Sequence, residues 1–458
     1  MVWINDVHAQ MSATNVGRIA KIRSLEDLQA TLTECHKQKL PVSIAGGKHS
    51  LGRQPFITGG VVLDTRDFNQ VLALEERTGI VRLQGGCMWP DLQSYLMHRK
   101  ADWEIHQKQT GADTMSIAGS IAVNAHGNAL RRGPISSDVL WLQVVLADGS
   151  QVHCDRHENS ELFALAVGGM GLFGVISEVG LQLAPRHTFR RVSSVSSAVD
   201  VAKQWSEDIT YSYGDMQLDI DPTTDSFLNL GVLNQWEPWE DPPSDPAPSL
   251  NADWGKLVTL AHVDKKRAFQ EYCAYAQSVD GRIESRADFQ WRSYKENYHK
   301  DLERKLALPE SAEILAEFFI PPSRLPSLLN SARHSARCYG IDLILATLRS
   351  IRKCEVSFLR WAKQDYVCLV FAIHTEDNVR DLNNTDQFCR QVAETCCQNQ
   401  GSFYLPYRRF YVANQLRRAY PNLDSLPEKK SQYDPMNMFN SDWYDAVCKM
   451  SFEATCQG

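Results

Sequence analysis

A chain of 458 residues is too long for one ordinary core and points to two domains. Its 43% hydrophobic and 22% charged residues are those of a globular protein, and a net charge of -7 speaks against a nucleic-acid binder, which would carry a basic face. No membrane span is expected, since even the apolar run 139–147 falls well short of the ~20 residues a spanning helix needs.

The N-terminus opens Met1-Val2-Trp3-Ile4-Asn5-Asp6, with no basic region leading into an apolar stretch, so a cytoplasmic location is expected. Twelve cysteines are then expected to be reduced. None follows a C-x-x-C spacing, and the adjacent Cys396 and Cys397 suit one tetrahedral ion poorly, so no metal is expected.

In chain order, Ser24 can cap a helix over 25–37, with Glu26 and Asp27 in its first turn and Leu25, Leu28 and Leu32 on one face. A short buried strand over 41–45 runs into the turn Ala45-Gly46-Gly47-Lys48-His49-Ser50-Leu51-Gly52. Strands are expected at 60–64 and 79–83 and a helix at 89–98. A second glycine-bearing turn runs from Ala118-Gly119-Ser120 to Asn124-Ala125-His126-Gly127-Asn128. Residues 139–146 followed by Asp148-Gly149 read as half a hairpin. Beyond about residue 190, 191–235 alternate as strand, 236–251 form an acidic, proline-rich loop, and 254–276 and 289–306 read as helices. Buried strands are expected at 317–320 and 367–374, and the stretch from Tyr404 is aromatic with a helix-turn pattern.

Glycines let the backbone approach a ligand and leave N–H groups that can nest a phosphate. Two such turns point to a diphosphate cofactor, and their order to a flavin. Gly169-Met170-Gly171-Leu172-Phe173-Gly174 also fits G-x-G-x-x-G, but helix-like 160–167 precedes it and strand-like 175–183 follows. That order is the reverse of a dinucleotide-binding unit.

At these residues the sequence resembles the vanillyl-alcohol-oxidase-type flavoproteins, which share a PCMH-type FAD-binding domain, over nearly the whole chain. The second half, closing with Tyr420-Pro421 and Asp434-Pro435-Met436-Asn437-Met438-Phe439, is most similar to the branch of aldonolactone and alditol oxidases and decaprenylphosphoryl-ribose oxidases. The resemblance implies an α+β chain: an FAD-binding domain over 1–190, a substrate or cap domain over 191–403 with an antiparallel sheet flanked by helices, and a segment 404–458 returning to the first. It implies FAD held by Ala45, Gly46, Gly47, Lys48, His49 and Ser50 in the first turn. Ser116, Gly119, Ser120, Asn124, His126 and Gly127 would serve in the second, joined by Thr110 and Gly111 just upstream, and Gly174, Val175 and Ile176 in the closing segment.

His49 matches a histidine that carries FAD through the flavin 8α-methyl in many members and only hydrogen-bonds it in others; a neutral imidazole is nucleophilic near pH 7. Lys48 replaces a commoner glycine. His126 would touch the cofactor or satisfy turn carbonyls. Where alditol-type relatives place Glu-x-Arg, this chain reads Thr347-Leu348-Arg349. Arg349 would stabilise an alkoxide or the reduced flavin. Tyr407 or Arg408 would replace a lysine of the relatives. Glu317 could be a general base with a pKa raised by burial, or a solvated strand-end glutamate. His299, on a helix, is expected outside.

The resulting expectation is an FAD-dependent oxidase or dehydrogenase acting on a CH–OH donor. A small sugar, polyol or lactone-like alcohol would give hydride to flavin N5, and oxygen or another acceptor would reoxidise it. The alternatives are a flavin-dependent reductase of a carbon–carbon double bond and a flavin-binding protein without catalysis.

Overall fold

The computed structural model describes residues 1–207, 210–240, 253–291 and 298–451. The first long helix, Leu25–Gln38, begins where Ser24 accepts a hydrogen bond from the Asp27 N–H and ends at Lys39 in the left-handed region. Leu28, Leu32 and Cys35 form its buried stripe. That stripe packs on a three-stranded sheet in which Val61–Asp64 pairs in parallel with Arg18–Lys21 on one side and Val42–Ala45 on the other.

A five-stranded antiparallel sheet follows, ordered Gln151–Asp155, Val139–Val145, Val175–Gln182, Ile80–Gln84, Val71–Glu75. The expected hairpin closes at Gly149, whose φ is +85°. The helix Ser160–Ala166 precedes Gly169–Gly174 and the strand Val175–Gln182 follows it, as the rejection of a dinucleotide fingerprint requires.

An eight-stranded antiparallel sheet dominates the second half. Its order is Ile283–Ser285, Thr188–Ser197, Leu230–Trp239, Tyr213–Leu218, Asp342–Ile351, Tyr366–Glu376, Ser311–Ile320, Ser402–Phe403. Alternation decides what each face meets. Phe318 and Phe371 face the helix Val379–Gln398, which packs beside Leu325–Tyr339; Phe371 meets Phe388 at 5.5 Å. Leu315, Val370 and Ala372 face the other way, toward the helices Trp254–Val263 and Lys265–Val279.

Two expectations for this region are corrected. The strand reading of 191–235 is interrupted by the helix Ala198–Glu207, because Ala198, Val201, Ala202 and Trp205 recur with a helical period and are buried together. The loop expected from Trp236 begins later, since Leu230–Trp239 stays paired to Thr188–Ser197 as far as Trp239. The remainder of that loop, 241–251, lies outside the described residues. The helix expected over 289–306 is represented by Arg286–Gln290 and Tyr298–Leu306; 292–297 also lie outside them.

The C-terminal stretch runs back to the first sheet. The Val42 N–H donates to the Met438 carbonyl at 2.7 Å and the Val42 carbonyl accepts from the Asn440 N–H at 2.8 Å. Buried Asp434 shapes this return, accepting from the N–H groups of Met438 and Phe439 and from the Lys430 ammonium. The chain is therefore α+β. Among the described residues no helix is long and apolar enough to cross a membrane.

Candidate active site

The first glycine turn lies against the segment before Ser116. A Cβ added at Gly46 would sit 2.0 Å from the Ser116 Oγ, and one at Gly47 only 2.3 Å from the Thr114 carbonyl oxygen. Only glycine permits this approach. Lys48 follows at φ +58°, the left-handed conformation that explains why glycine is commoner there. Ser116 caps the short helix Ile117–Ala122, its Oγ accepting from the Gly119 N–H at 3.2 Å.

These two bends and the run Met170–Ile176 line one cavity. It brings together the expected Gly46, Gly47, Lys48, His49, Ser50, Ser116, Gly119, Gly174, Val175 and Ile176. Ala45 lies just behind it at the end of its strand. Ser120 points into the core, accepting from the Trp89 indole N–H and donating to the Ser116 carbonyl. Asn124, at φ +47°, accepts from the Ser136 N–H and donates to the Cys354 sulfur. Gly127 passes close to the Lys108 carbonyl.

A second cavity adjoins the first, sharing His49, Ser50, Met115 and Val123. Thr110 and Gly111 line this one, on the side of the bends. Across from them stand Glu317, Arg349 and Tyr407, from the strands Ser311–Ile320 and Asp342–Ile351 and the segment after Phe403.

Glu317 is buried rather than solvated, at 1% exposure. Its Oε1 accepts from the Tyr407 hydroxyl at 2.7 Å, and its Oε2 lies 2.8 Å from the His126 Nε2. The expected rise in its pKa is overturned. Desolvation pushes it up, but His126, the Arg349 cation and the Tyr407 hydroxyl together hold it below its ordinary value of 4.5. Burial and the neighbouring Glu317 charge push the Tyr407 phenol well above its ordinary value, so it remains a donor. Arg349 is 5% exposed, and its Nε and Nη1 find no hydrogen-bond partner among the described residues.

The linkage of Glu317 has a definite sign. A folded-state pKa below 4.5 contributes stability that is fully present above pH 4.5 and is lost as pH falls through the folded value. Glu317→Gln is therefore expected to lower stability by about 1–3 kcal/mol at neutral pH, with the gap to wild type closing in acid. Denaturant unfolding across pH checks this; a gap that widened on acidification would contradict it.

Arg408 does not join this group. Its Nε and Nη2 clasp both oxygens of Asp386 on the helix Val379–Gln398, at 2.8 and 3.1 Å, and it lines neither cavity. His299 is also corrected: it is 2% exposed, because the helix Tyr298–Leu306 turns it inward.

Some partners carry no signal in sequence. His49 is held between the Thr114 hydroxyl, 3.0 Å from its Nε2, and the His8 Nε2, 2.8 Å from its Nδ1. His8 is set there by Asp6, whose carboxylate accepts from the N–H groups of His8, Gln10, Met11 and Ser12. Burial and nearby His299 bring the His8 pKa down to about 4, so it is neutral at pH 7. Two groups of ligand-capable atoms also assemble across distant elements, His126–Glu317–Cys368 and His262–Asp342–His374. The first already has its His126–Glu317 hydrogen bond, with the Cys368 sulfur 4.0 Å from each.

The narrow bends and the unpartnered Thr110 Oγ1 and Arg349 nitrogens fit a ligand that spans both cavities, with a diphosphate at the glycines and a planar ring near His49. Residues 17–155 match the family described as FAD binding domain. D-2-hydroxyglutarate dehydrogenase, mitochondrial, of Rattus norvegicus is 32% identical over 35% of this chain and 31% of its own length. Cytokinin dehydrogenase 7 of Oryza sativa subsp. japonica is 35% identical over 32% and 29%. L-gulono-1,4-lactone dehydrogenase of Mycobacterium tuberculosis is 23% identical over 96% of this chain and 98% of its own. The matched part spans about a third of the length of the first two relatives.

Proposed function

From the relationship of this chain to the PCMH-type FAD oxidoreductases, on the side of the aldonolactone oxidases, we propose that it oxidises the hydroxylated carbon of a small alcohol. The observation that carries this reading is the junction of the two cavities at His49, Ser50, Met115 and Val123, with Arg349 and Glu317 across from it. FAD bound there supplies a hydride acceptor, its N5. The Gly46–Ser50 and Ser116–Gly119 bends would receive the diphosphate, with Thr110, Gly111 and the Gly174–Ile176 strand start completing the holding surface.

Arg349 directs its unpartnered N–H groups at the substrate oxygen and stabilises the alkoxide that forms as the hydroxyl proton leaves. The ionised Glu317, fixed by His126 and Tyr407, orients the substrate hydroxyl beside Arg349, and water takes the proton as it leaves. Tyr407, kept protonated, orients Glu317 and donates rather than accepts. Oxygen or another carrier takes the electrons in turn.

Residues 1–190 together with 404–458 form the FAD-holding unit in this reading, and 191–403 the substrate unit. The hydrogen bonds joining Val42 to Met438 and Asn440 support that division.

His49 carries the FAD covalently through the flavin 8α-methyl in this account. Acid precipitation tests the point: yellow colour should stay with the wild-type pellet and pass to the supernatant for His49→Ala. Colour retained by the variant's pellet would remove His49 from that role. The activity itself is tested by anaerobic addition of an alcohol to the FAD-loaded protein, where bleaching of the flavin is expected. Bleaching by a nicotinamide donor alone would instead support reduction of a double bond.

A further inference from the structure

The second cavity continues well beyond the reacting groups, and its walls change character on the way. On the strand Ser311–Ile320, Glu317, Leu315 and Glu313 all line it, two residues apart on one face. Register sets Val370 beside Glu317 and Ala372 beside Leu315, with Leu345 on the far side of Ala372. The helix Trp254–Val263 adds Leu257, Val258 and Ala261, and the next helix adds Phe269. Polar groups thus mark one end, at Glu317 and Arg349, and the other, at Glu313, which is itself buried. The two glutamates are four residue steps apart, about 13 Å of strand, and the sheet wall between them is apolar.

A free sugar or polyol fits such a lobe badly. Each hydroxyl taken from water without a partner costs about 1–3 kcal/mol, and the wall at Leu315, Ala372 and Leu345 offers none. An alkyl or flat hydrocarbon body suits it, because burial there is favourable in proportion to apolar area.

We propose that the substrate is an amphiphilic alcohol: its hydroxylated carbon lies at Arg349 and Glu317, and an apolar body about 13 Å long occupies the lobe beyond. The proposal names the substrate class for the oxidoreductase reading above and rests on it for the placement of the reacting end. Leu257 and Phe269 are then specificity-determining residues on the helical wall, opposite Leu315 and Leu345.

Linear primary amides from butanamide to decanamide test it, since they present a polar head that cannot be oxidised as an alcohol is. Calorimetric titration of the FAD-loaded protein should show affinity rising about fourfold per added methylene until the lobe is filled, and no measurable binding of sorbitol. Leu257→Asn and, independently, Phe269→Ala should flatten that rise, with the loss growing from butanamide to decanamide. A flat response across the series, or sorbitol binding more tightly than decanamide, overturns the proposal. The two readings separate cleanly. Tail-dependent amide binding without bleaching by any alcohol keeps the apolar lobe and defeats the oxidation chemistry; bleaching by sorbitol without tail dependence does the reverse.

Discussion

Replacing Arg349 by methionine should slow flavin reduction by the alcohol about 10²–10³-fold, the loss found when a preorganised donor to a developing oxyanion is removed. The reason is local. Arg349 is nearly buried on the strand Asp342–Ile351, faces the cavity, and keeps Nε and Nη1 without a partner among the described residues. A cation so placed has N–H groups free to receive an oxygen that gains charge. Methionine keeps much of the volume and removes only the donors. Lysine should restore little, because a point ammonium does not reproduce the guanidinium fork. Rapid mixing under anaerobic conditions reads the reduction step directly, and thermal unfolding with FAD bound controls for damage to the fold. A rate within about threefold of wild type would take Arg349 out of the chemistry.

Gly47→Ala should weaken FAD retention about 10–100-fold, the equivalent of the strain that overpacking imposes on a tight contact. The added Cβ would come within 2.3 Å of the Thr114 carbonyl and 2.8 Å of the His49 ring, and a backbone carbonyl cannot swing aside as a side chain can. The two bends would have to part where the diphosphate would sit. Gly255→Ala, on an exposed helical position where an added Cβ would make only an ordinary 3.5 Å contact with the Asp253 Oδ1, is the matched control and should leave FAD uptake unchanged. The ratio of flavin to protein absorption after reconstitution measures both. Full occupancy in the Gly47 variant would contradict this account of the bend.

What could be read from sequence was whatever is written locally. The Ser24 cap with its Leu28–Leu32 stripe gave the helix Leu25–Gln38, and glycines at 46, 47 and 119 marked backbone that packs too closely for a Cβ. Partnerships across the sheets were not legible. Glu317 meets His126 and Tyr407, 191 and 90 positions away, and those neighbours decide that its carboxyl is held down rather than raised. Tyr407 and Arg408 are adjacent and equally plausible by type, yet one hydroxyl turns to Glu317 while the other side chain turns to Asp386. His8 came into place through an Asp6 turn that no periodicity announces. In the same way His299 looked like a surface residue until the packing of its helix was known.

The central claim is that FAD seated on the two bends takes hydride from an alcohol held at Arg349 and Glu317. Anaerobic titration of the FAD-reconstituted protein with vicinal diols from butanediol to decanediol, followed at the visible flavin bands, tests it most directly. The account predicts one flavin per chain, bleached by the diols and more readily as the tail lengthens. A protein that takes up no stoichiometric FAD, or whose bound flavin stays yellow through the whole series, would contradict it.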